Sequence, residues 1–565
     1  MDNQRLLIWA FFGLTAWMTY QAWMQDYGPQ PQPAQSVVEE QGNLELDGAL
    51  PELVDMGDEI EAPSVEPVAD MPSTSLSAGA ATIEVRTDVL SLTISVQGGT
   101  LTQAILRNYP EAKDRPSELV ELLTADPARI SLIQSGLRAG GEGPEANHLA
   151  MFSGSRDSYD IDGADELVVP LTWSDGNGIT VEKRYRFTPG SYIIGLEQTV
   201  TNNSSTAWRG AEYAQMQRYL ASQERSMFDV DSYSFNGPIT YNGEKAEKFD
   251  GDDLLDDGPQ SFSSEHGWYG TSQHHCVTAV IPEAGTKQRF NLSARGGKST
   301  ASSIGAPRTV EPGASETFST TIFIGPKLQS QLEDIDKTLK LTVDYGWLTI
   351  ISQPLFWLLS KVFDIFGNWG VSIIVVTVLI KALFYKLTES SGRSMAKMRN
   401  LQPRIKAMQE RYKDDKQAQS QAMMELYKRE KVNPAAGCLP ILIQMPFFLA
   451  FYWVLLESVE MRQAPFALWL TDLSTKDPYF ILPLIMGAAM FFQQKLNPQV
   501  GDPVQVKVMQ IMPVIFTVFF AFFPSGLVLY WVTNTLLSIA QQWKINQVVE
   551  AESKQQKGGK KPKNA

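Results

Sequence analysis

The sequence has few of the residues that metal sites, disulfide frameworks and histidine catalysis require. It contains two cysteines and four histidines in 565 residues. Cys276 and Cys438 form no CxxC or Cys/His spacing, so neither structural zinc nor a disulfide framework is predicted. The Walker, HExxH, GxSxG and dinucleotide-binding patterns do not occur. We therefore predict that the protein is not an enzyme and uses no metal or cofactor.

Positive charge is missing from one part of the chain and abundant in another. Residues 31–80 contain eleven acidic residues and no basic one. Residues 81–345 have 36 acids against 23 bases, whereas residues 346–565 have 24 bases against 14 acids. The net charge of −15, the pI near 4.9 and the mean hydropathy of −0.16 therefore average two different environments.

The N-terminal stretch 6–24 is uncharged over nineteen residues, close to the roughly 20 that a bilayer-spanning helix needs. A cleaved signal peptide is the alternative, but its apolar region is typically about 7–15 residues long. The length favours an uncleaved anchor over residues 1–28. Residues 29–80 are rich in Pro, Gln and acidic residues and predict a disordered linker.

Residues 81–345 have the alternating, β-branched pattern of strands separated by turn residues, and this pattern predicts an all-β sandwich. The clearest segments are 82–96, 179–187, 192–200 and 319–325. Within this region, His274 and His275 are expected in or beside a strand rather than at a metal. The carboxylates of residues 250–257 lack the spacing of a calcium loop and predict a solvated acidic loop.

Apolar runs return after residue 345 and predict five more spans. Residues 346–388 are predicted to form an amphipathic periplasmic helix and then the first of these spans, whose apolar run is residues 365–385. The region 435–543 is assigned four spans, at about 437–457, 479–496, 508–523 and 526–543. With the anchor, the prediction is six transmembrane helices.

Orientation follows from the short loops, because basic residues collect on the cytoplasmic side. Six spans place the N-terminus and residues 389–434, 495–507 and 544–565 on one side. Residues 389–434 have eleven bases and six acids, and residues 544–565 have six lysines and two acids. Residues 457–478, on the other side, have two bases and four acids. We predict cytoplasmic termini and a periplasmic β domain.

One charged side chain, Lys381, lies near the cytoplasmic end of a predicted span. Ionised groups within a span are costly and indicate a functional site, although a lysine this close to the end can also extend to the headgroups. Thr377 is one turn earlier and shares its face. Gln444 also interrupts an apolar run. Single polar residues of this kind commonly make hydrogen bonds between helices, and together they predict a partly hydrated bundle interior.

Residues 389–434 read as a helical hairpin with apolar residues at three- and four-residue spacing. The hairpin is either an amphipathic pair of helices packed on itself or a docking surface for partner proteins and apolar segments. Methionine provides adaptable apolar surface for docking. The candidate docking residues are Met395, Met398, Arg399, Met408, Met423 and Met424. The tail 544–565 is predicted to be disordered at its end and either simply solvated or attracted to anionic lipid or ribosomal RNA.

Four segments settle the family. They are SMAKMRNLQPRIKAMQERYKDDKQ, KVNPAAGCLPILIQMPFFLAFYWVL, VEMRQAPFALW and FFPSGLVLYW. Together they closely resemble the YidC/Oxa1/Alb3 family of membrane protein insertases, in its Gram-negative form. The resemblance implies an α+β membrane protein, with an anchor, a five-helix core, a periplasmic β-supersandwich and a cytoplasmic helical hairpin.

The resemblance also implies function. Members insert and help fold nascent inner-membrane proteins, alone or with the Sec translocon, through a hydrophilic groove with a positive residue and without nucleotide hydrolysis. Expected partners are nascent membrane proteins, Sec components, the ribosome and signal-recognition machinery, and anionic phospholipids. Lys381, Thr377 and Trp531 match groove positions, and we add Gln444. Substrate helices are expected to pass Phe448, Phe516, Phe519 and Phe520.

One departure from the family pattern concerns the end of the first core span. Many relatives have proline after its tyrosine, whereas this chain has Lys386, which predicts a longer helix here.

Two other functions remain as alternatives, a polytopic transporter and a membrane-anchored periplasmic carbohydrate-binding or envelope protein. A transporter would show paired broken helices in inverted repeats, and we find none. Five additional spans argue against the second.

Overall fold

The computed structural model describes residues 51, 80–111, 117–140, 144–220, 234–343, 345–412, 415–430, 439–496 and 503–558. The predicted anchor, nearly all of the predicted linker, Cys438 and residues 559–565 lie outside the described residues.

The described part of the β domain consists of twenty strands and two short helices. The strands are β1 Thr82–Arg86, β2 Leu90–Ser95, β3 Leu101–Pro110, β4 Leu119–Leu123, β5 Ser131–Ala139, β6 Ser153–Gly154, β7 Ser158–Asp160, β8 Leu167–Ser174, β9 Ile179–Phe187, β10 Ile193–Asn202, β11 Trp208–Tyr219, β12 Gly237–Tyr241, β13 Ala246–Lys248, β14 Gln260–Ser264, β15 Trp268–Ser272, β16 Cys276–Pro282, β17 Gln288–Arg295, β18 Lys298–Gly305, β19 Arg308–Val310 and β20 Ser315–Pro326. The helices are α1 Gly251–Asp256 and α2 Gln329–Ile335.

The strands form two sheets, which confirms the predicted sandwich. One has the order β14-β17-β18-β11-β5-β3-β2-β1-β7, with β19 paired to β11 and β4 to β3. The other has the order β13-β12-β15-β16-β20-β10-β9-β8-β6. Pairing is antiparallel except between β1 and β7. Alternate residues of β9 are buried, as a period of two requires, and Trp268, Tyr185 and Phe323 are among the largest buried side chains.

Eight helices follow in the described part of the chain. They are α3 Thr349–Phe366, α4 Trp369–Leu383, α5 Tyr385–Arg411, α6 Lys416–Arg429, α7 Leu439–Glu457, α8 Ile481–Leu496, α9 Pro503–Phe520 and α10 Ser525–Gly558. Their ends have local causes. Gly367, with φ 63°, ends α3, and the Asn368 side chain caps α4 by accepting the Val371 N–H. Asp415 caps α6 in the same way.

The helices pack into a bundle around buried apolar side chains. Helix α3 contacts α4 and α7, α10 contacts α4, α5 and α8, and α9 packs on α8. Leu359, Ile373, Phe451 and Met486 are buried between them. Many apolar side chains on the outer surfaces are exposed, including Ile515 of α9. This distribution is the one expected of helices surrounded by lipid.

By length and apolar composition, one described helix, α3, could cross a membrane alone. Helix α4 and the first part of α5 meet the same criterion together but are bent by 69°. Apolar stretches of α7, α8 and α9 are shorter. Helix α3 is the one predicted to be amphipathic and periplasmic, so its length and exposed apolar side chains were not anticipated.

Three local predictions are wrong. The helix does not continue past Phe384, where α4 ends and α5 starts in a new direction despite Lys386 in place of proline. Disorder was predicted from residue 554 onward, but α10 is helical through Gly558, and residues 559–565 lie outside the described residues. The acidic loop of residues 250–257 contains the short helix α1, whose N-cap is Asp250.

The β domain contacts the helical part at the end of α7. His274 and His275, in the turn before β16, stack at 3.7 Å and place their Nε2 atoms 2.9 and 3.1 Å from the Leu456 carbonyl oxygen. Because a carbonyl only accepts, both rings donate to this C-terminal carbonyl, which has no partner within its helix. The Glu457 carboxylate accepts the Ser234 hydroxyl at 2.9 Å. The two parts are therefore joined by hydrogen bonds between buried groups.

Candidate functional site

A cavity of about 330 Å³ lies between α4, α5, α7, α8 and α10. Its lining is mixed, with hydroxyls, carboxamides, methionines and aromatic rings and one charged group. The lining residues are Lys381, Thr388, Ser391, Gly392, Met395, Gln444, Met445, Phe448, Met490, Gln493, Tyr530, Trp531, Asn534, Thr535, Ser538, Gln541, Gln542 and Ile545. Four of the sequence-predicted groove residues, Lys381, Gln444, Phe448 and Trp531, are thus brought together.

The charged group of the cavity is Lys381, in the last turn of α4. Its Nζ donates to the Ser538 hydroxyl of α10 at 2.8 Å, and that hydroxyl donates to the Asn534 carbonyl at 2.7 Å. No carboxylate is among the residues that line the cavity in the described part of the chain. The ammonium group therefore faces neutral dipoles and is available to an incoming negative charge.

Ser538 was not found from the sequence. It lies on the face of α10 that also carries Asn534, one turn earlier, and Gln541 and Gln542, one turn later. This polar stripe at helical spacing was the available signal. A single serine in an apolar helix is common and gives no signal by itself, so its role becomes visible only through its contact with Lys381.

Three carboxamides from three helices line the cavity, Gln444 of α7, Gln493 of α8 and Asn534 of α10. Their side chains make no hydrogen bond to any residue that the structure describes. Gln541 and Gln542, by contrast, donate to the Tyr385 carbonyl and the Asn546 side chain. The cavity thus contains amide donors and acceptors that have no partner among the described residues.

Aromatic rings extend the cavity wall toward α9. Phe448 and Trp531 line the cavity, and their ring centroids lie 4.8 Å apart in an edge-to-face arrangement. Phe516 and Phe520 of α9 are not among the lining residues, but their ring centroids lie 6.4 and 5.2 Å from that of Trp531. Phe520 is buried, whereas Phe519 is half exposed on the outer surface. The wall leads from the polar cavity to the exposed apolar face of α9.

Two family models match the chain, one described as "60Kd inner membrane protein" over residues 361–553 and one as "YidC periplasmic domain" over residues 82–358. A protein of Methylococcus capsulatus named membrane protein insertase YidC is 46% identical over 562 residues, which cover 97% of this chain and 99% of the relative. The chain belongs to the YidC family of membrane protein insertases.

A second curated relative agrees. An insertase of the same name from Nitrosococcus oceani is 45% identical over 564 residues, covering 98% of this chain and 100% of the relative. A solved YidC insertase with its first transmembrane domain resolved is 21% identical, with a TM-score of 0.39 over 82% of this chain and 94% of that one. The predicted insertase function is confirmed by the curated relatives and the family models, and neither alternative function is supported. The protein is an inner-membrane insertase with a periplasmic domain.

Thr377 of the insertase does not line the cavity. It is buried, and its hydroxyl donates to the Ile373 carbonyl one turn earlier at 2.6 Å. Threonine on a helix commonly makes this bond. Sharing a face with Lys381 therefore did not bring Thr377 into the polar site, and its hydroxyl is satisfied within α4 instead.

Within the helical hairpin, formed by α5 and α6, three of the six predicted docking residues pack inward. Met398 is buried with Leu401, Ile405, Leu426 and Tyr427, and Met408 and Met423 pack against this cluster. Met395 lines the cavity instead. Arg399 and Met424 are exposed. The hairpin therefore packs on itself through Met398, Met408 and Met423, and a docking role for the exposed residues stays a prediction.

The β domain of the insertase contains a buried lysine without a carboxylate partner among the described residues. Lys183 lies on the inward face of β9, and its Nζ donates to the Gly98 carbonyl at 2.6 Å and to the Ser135 carbonyl and hydroxyl at 2.9 and 3.0 Å. Burial lowers the pKa of Lys183 to about 7. Its position on the inward face was not predicted, because a lysine is expected on the exposed face of an alternating strand.

His148 lies near this lysine and is also buried. Its Nδ1 is 2.6 Å from the Tyr213 hydroxyl oxygen, which also accepts the His148 backbone N–H at 2.9 Å. Burial and the positive charges of Lys183 and Arg138 lower the pKa of His148 to about 4. The ring is therefore neutral at physiological pH, and the stability of the β domain depends on keeping it so.

Proposed function

We propose that the cavity beside Lys381 receives the polar segment of a nascent membrane protein during insertion. The support is one observation: a lysine held by Ser538 lies in a cavity whose described lining contains no carboxylate. A segment with an acidic residue would gain a charge-assisted hydrogen bond there. Lys381, Gln444, Phe448 and Trp531 would contact the polar segment or its flank.

The proposal includes a path for the apolar part of the substrate. Phe516, Phe519 and Phe520 connect the cavity to the exposed surface of α9. A substrate helix that moves along this surface buries its apolar side chains in lipid, which releases about 25 cal/mol per Å². Unsatisfied polar groups in hydrocarbon cost several kcal/mol each, so a polar cavity lowers the barrier. No covalent step, cofactor or nucleotide is part of this mechanism.

The proposed topology has six spans, with the anchor in residues 1–28, the linker in residues 29–80 and the β domain over residues 81–345. Both termini, the hairpin in residues 389–434 and the tail 544–565 would be cytoplasmic. The basic balance of these cytoplasmic segments supports the assignment. The ribosome, signal-recognition machinery, Sec components and anionic phospholipids are proposed as partners, with Arg399 and Met424 as exposed hairpin contacts.

The test replaces Lys381 by Ala, Glu and Arg in the full chain. Insertion of a small single-span substrate with an acidic tail would be followed in proteoliposomes. We expect Lys381→Arg to retain insertion, Lys381→Ala to slow it and Lys381→Glu to abolish it, because like charges repel. Lys361→Glu, at an exposed lysine of α3, is the matched control and should insert normally. Normal insertion by Lys381→Glu would contradict the proposal.

A further inference from the structure

We propose that Gln444, Gln493 and Asn534 bind the peptide backbone of the substrate's polar segment in an extended conformation. The inference rests on the proposed function of the cavity and names what the cavity recognises. Lys381 would recognise an acidic side chain, whereas the three carboxamides would recognise the N–H and C=O groups that every substrate has.

The first argument is which lining groups lack partners. The hydroxyls of Thr388 and Ser538 are already bonded to carbonyls of their own helices. The three carboxamides are not bonded to any described residue, although carboxamides between membrane helices commonly bond to each other. Among the described residues each therefore has an unsatisfied donor and acceptor facing the cavity, where a ligand can satisfy them.

The second argument is chemical complementarity. A carboxamide presents one acceptor oxygen and an NH₂ donor, and a peptide group presents one acceptor and one donor. Three such groups on α7, α8 and α10 surround the cavity rather than following one helix. Rotation of the side chains allows them to bond to successive peptide groups without regard to substrate sequence. An insertase with many substrates needs this property.

The third argument concerns the single charge of the cavity lining and the volume of the cavity. Lys381 is the one charged residue of the described lining, and one cation can neutralise one acidic group. A polar tail in extended conformation exposes an N–H and a C=O at every residue, and each is costly to leave unpaired in hydrocarbon. A volume of about 330 Å³ is at the small end of ligand sites and accommodates a short stretch of extended chain. The carboxamides can form hydrogen bonds with these backbone groups, which Lys381 alone cannot satisfy.

The test uses the full-length insertase in proteoliposomes and three single-span substrates that differ only in the tail. One tail is neutral and rich in Gly and Ser, one is acidic, and one alternates proline with serine so that half of its backbone lacks N–H donors. Gln444→Leu, Gln493→Leu and Asn534→Leu are made singly and together, because leucine keeps similar bulk without hydrogen bonding. Gln547→Leu, at an exposed glutamine of α10, is the matched control.

We expect each replacement to slow insertion of the neutral tail about fivefold, as loss of one neutral hydrogen bond implies, and the triple variant to slow it further. Insertion of the proline tail should change much less. The ratio of neutral-tail to proline-tail rates on the same proteoliposomes cancels differences in the amount of folded protein. An unchanged ratio in the triple variant would overturn the proposal.

The same substrates separate this inference from the proposed function. Lys381→Gln should slow the acidic tail more than the neutral tail, so that the ratio of acidic-tail to neutral-tail rates falls. If the carboxamide variants insert the neutral tail normally while Lys381→Gln slows the acidic tail, backbone recognition is wrong and the groove function stands. If Lys381→Gln inserts the acidic tail normally while the carboxamide variants lower the neutral-to-proline ratio, the charge role is wrong and backbone recognition stands.

Discussion

Replacement of His148 by glutamine is expected to remove a pH dependence from the stability of the β domain. An unfolded chain takes up a proton on histidine near pH 6.5, whereas the folded domain holds the pKa of His148 at about 4. Between these values the unfolded state binds more protons, so acid favours unfolding. The stability that the neutral ring contributes is present above pH 6.5 and is lost as the pH falls toward 4.

The magnitude follows from the same interval. One pH unit corresponds to about 1.4 kcal/mol, so the full interval from 6.5 to about 4 changes the free energy of unfolding by roughly 3 kcal/mol. Burial raises the pKa of Glu212 to about 7, and this carboxyl contributes a slope of opposite sign. Glu212 is unchanged in the variant, so the difference in slope between wild type and His148→Gln isolates the histidine.

The assay is hydrogen exchange of the β9 and β11 amides in the full-length protein between pH 6.5 and about 4, corrected for intrinsic exchange. Wild type should lose stability on acidification, and His148→Gln should lose about 1.4 kcal/mol less per pH unit. His266→Gln, at an exposed histidine, should follow wild type. Equal slopes in wild type and His148→Gln would refute the reasoning, because the fold would then not hold the ring neutral.

Three further predictions concern the helices. A Cβ at Gly487 of α8 would overlap the Thr517 hydroxyl of α9. Gly487→Val should therefore separate the two helices and lower the free energy of unfolding by about 1–3 kcal/mol, measured by thermal unfolding in detergent. An unchanged melting temperature would contradict this close contact. Ile405→Ala should destabilise the hairpin by about 2–4 kcal/mol in hydrogen exchange, whereas exposed Met424→Ala should not; equal effects would contradict the packing. His275→Leu removes a donor to the α7 carbonyl, so exchange at the last turn of α7 should become faster, and unchanged protection would argue against the cap.

The sequence revealed those site residues that are polar within an otherwise apolar run. Lys381 and Gln444 interrupt apolar runs, and a polar group in a span is conspicuous whatever its partners. Phe448 and Trp531 came from the family resemblance. Ser538 could not be found in this way, because its importance depends on a contact with a residue 157 positions earlier in the chain.

Periodicity did not distinguish packing from docking in the hairpin. Met398 and Met424 are both apolar residues of one amphipathic hairpin, yet Met398 is buried and Met424 is half exposed. The same spacing is compatible with burial inside the hairpin and with exposure on its surface. Which of the two applies to a given methionine depends on how α5 and α6 are rotated about their axes. Likewise, α4 and α5 meet at a 69° bend although no proline follows Tyr385, and α5 packs against α10.

The two histidines that cap α7 give that helix a clamped end. Gln444 lies twelve residues from Leu456, or about 18 Å along the helix axis. The hydrogen bonds from the periplasmic domain therefore restrain one end of the helix that forms this cavity wall. A cavity with one clamped wall opens by displacement of its other walls. We therefore expect α8, which contributes Gln493, to move when a substrate enters. The β domain is then expected to stiffen the site, although no β-domain residue is in the described lining.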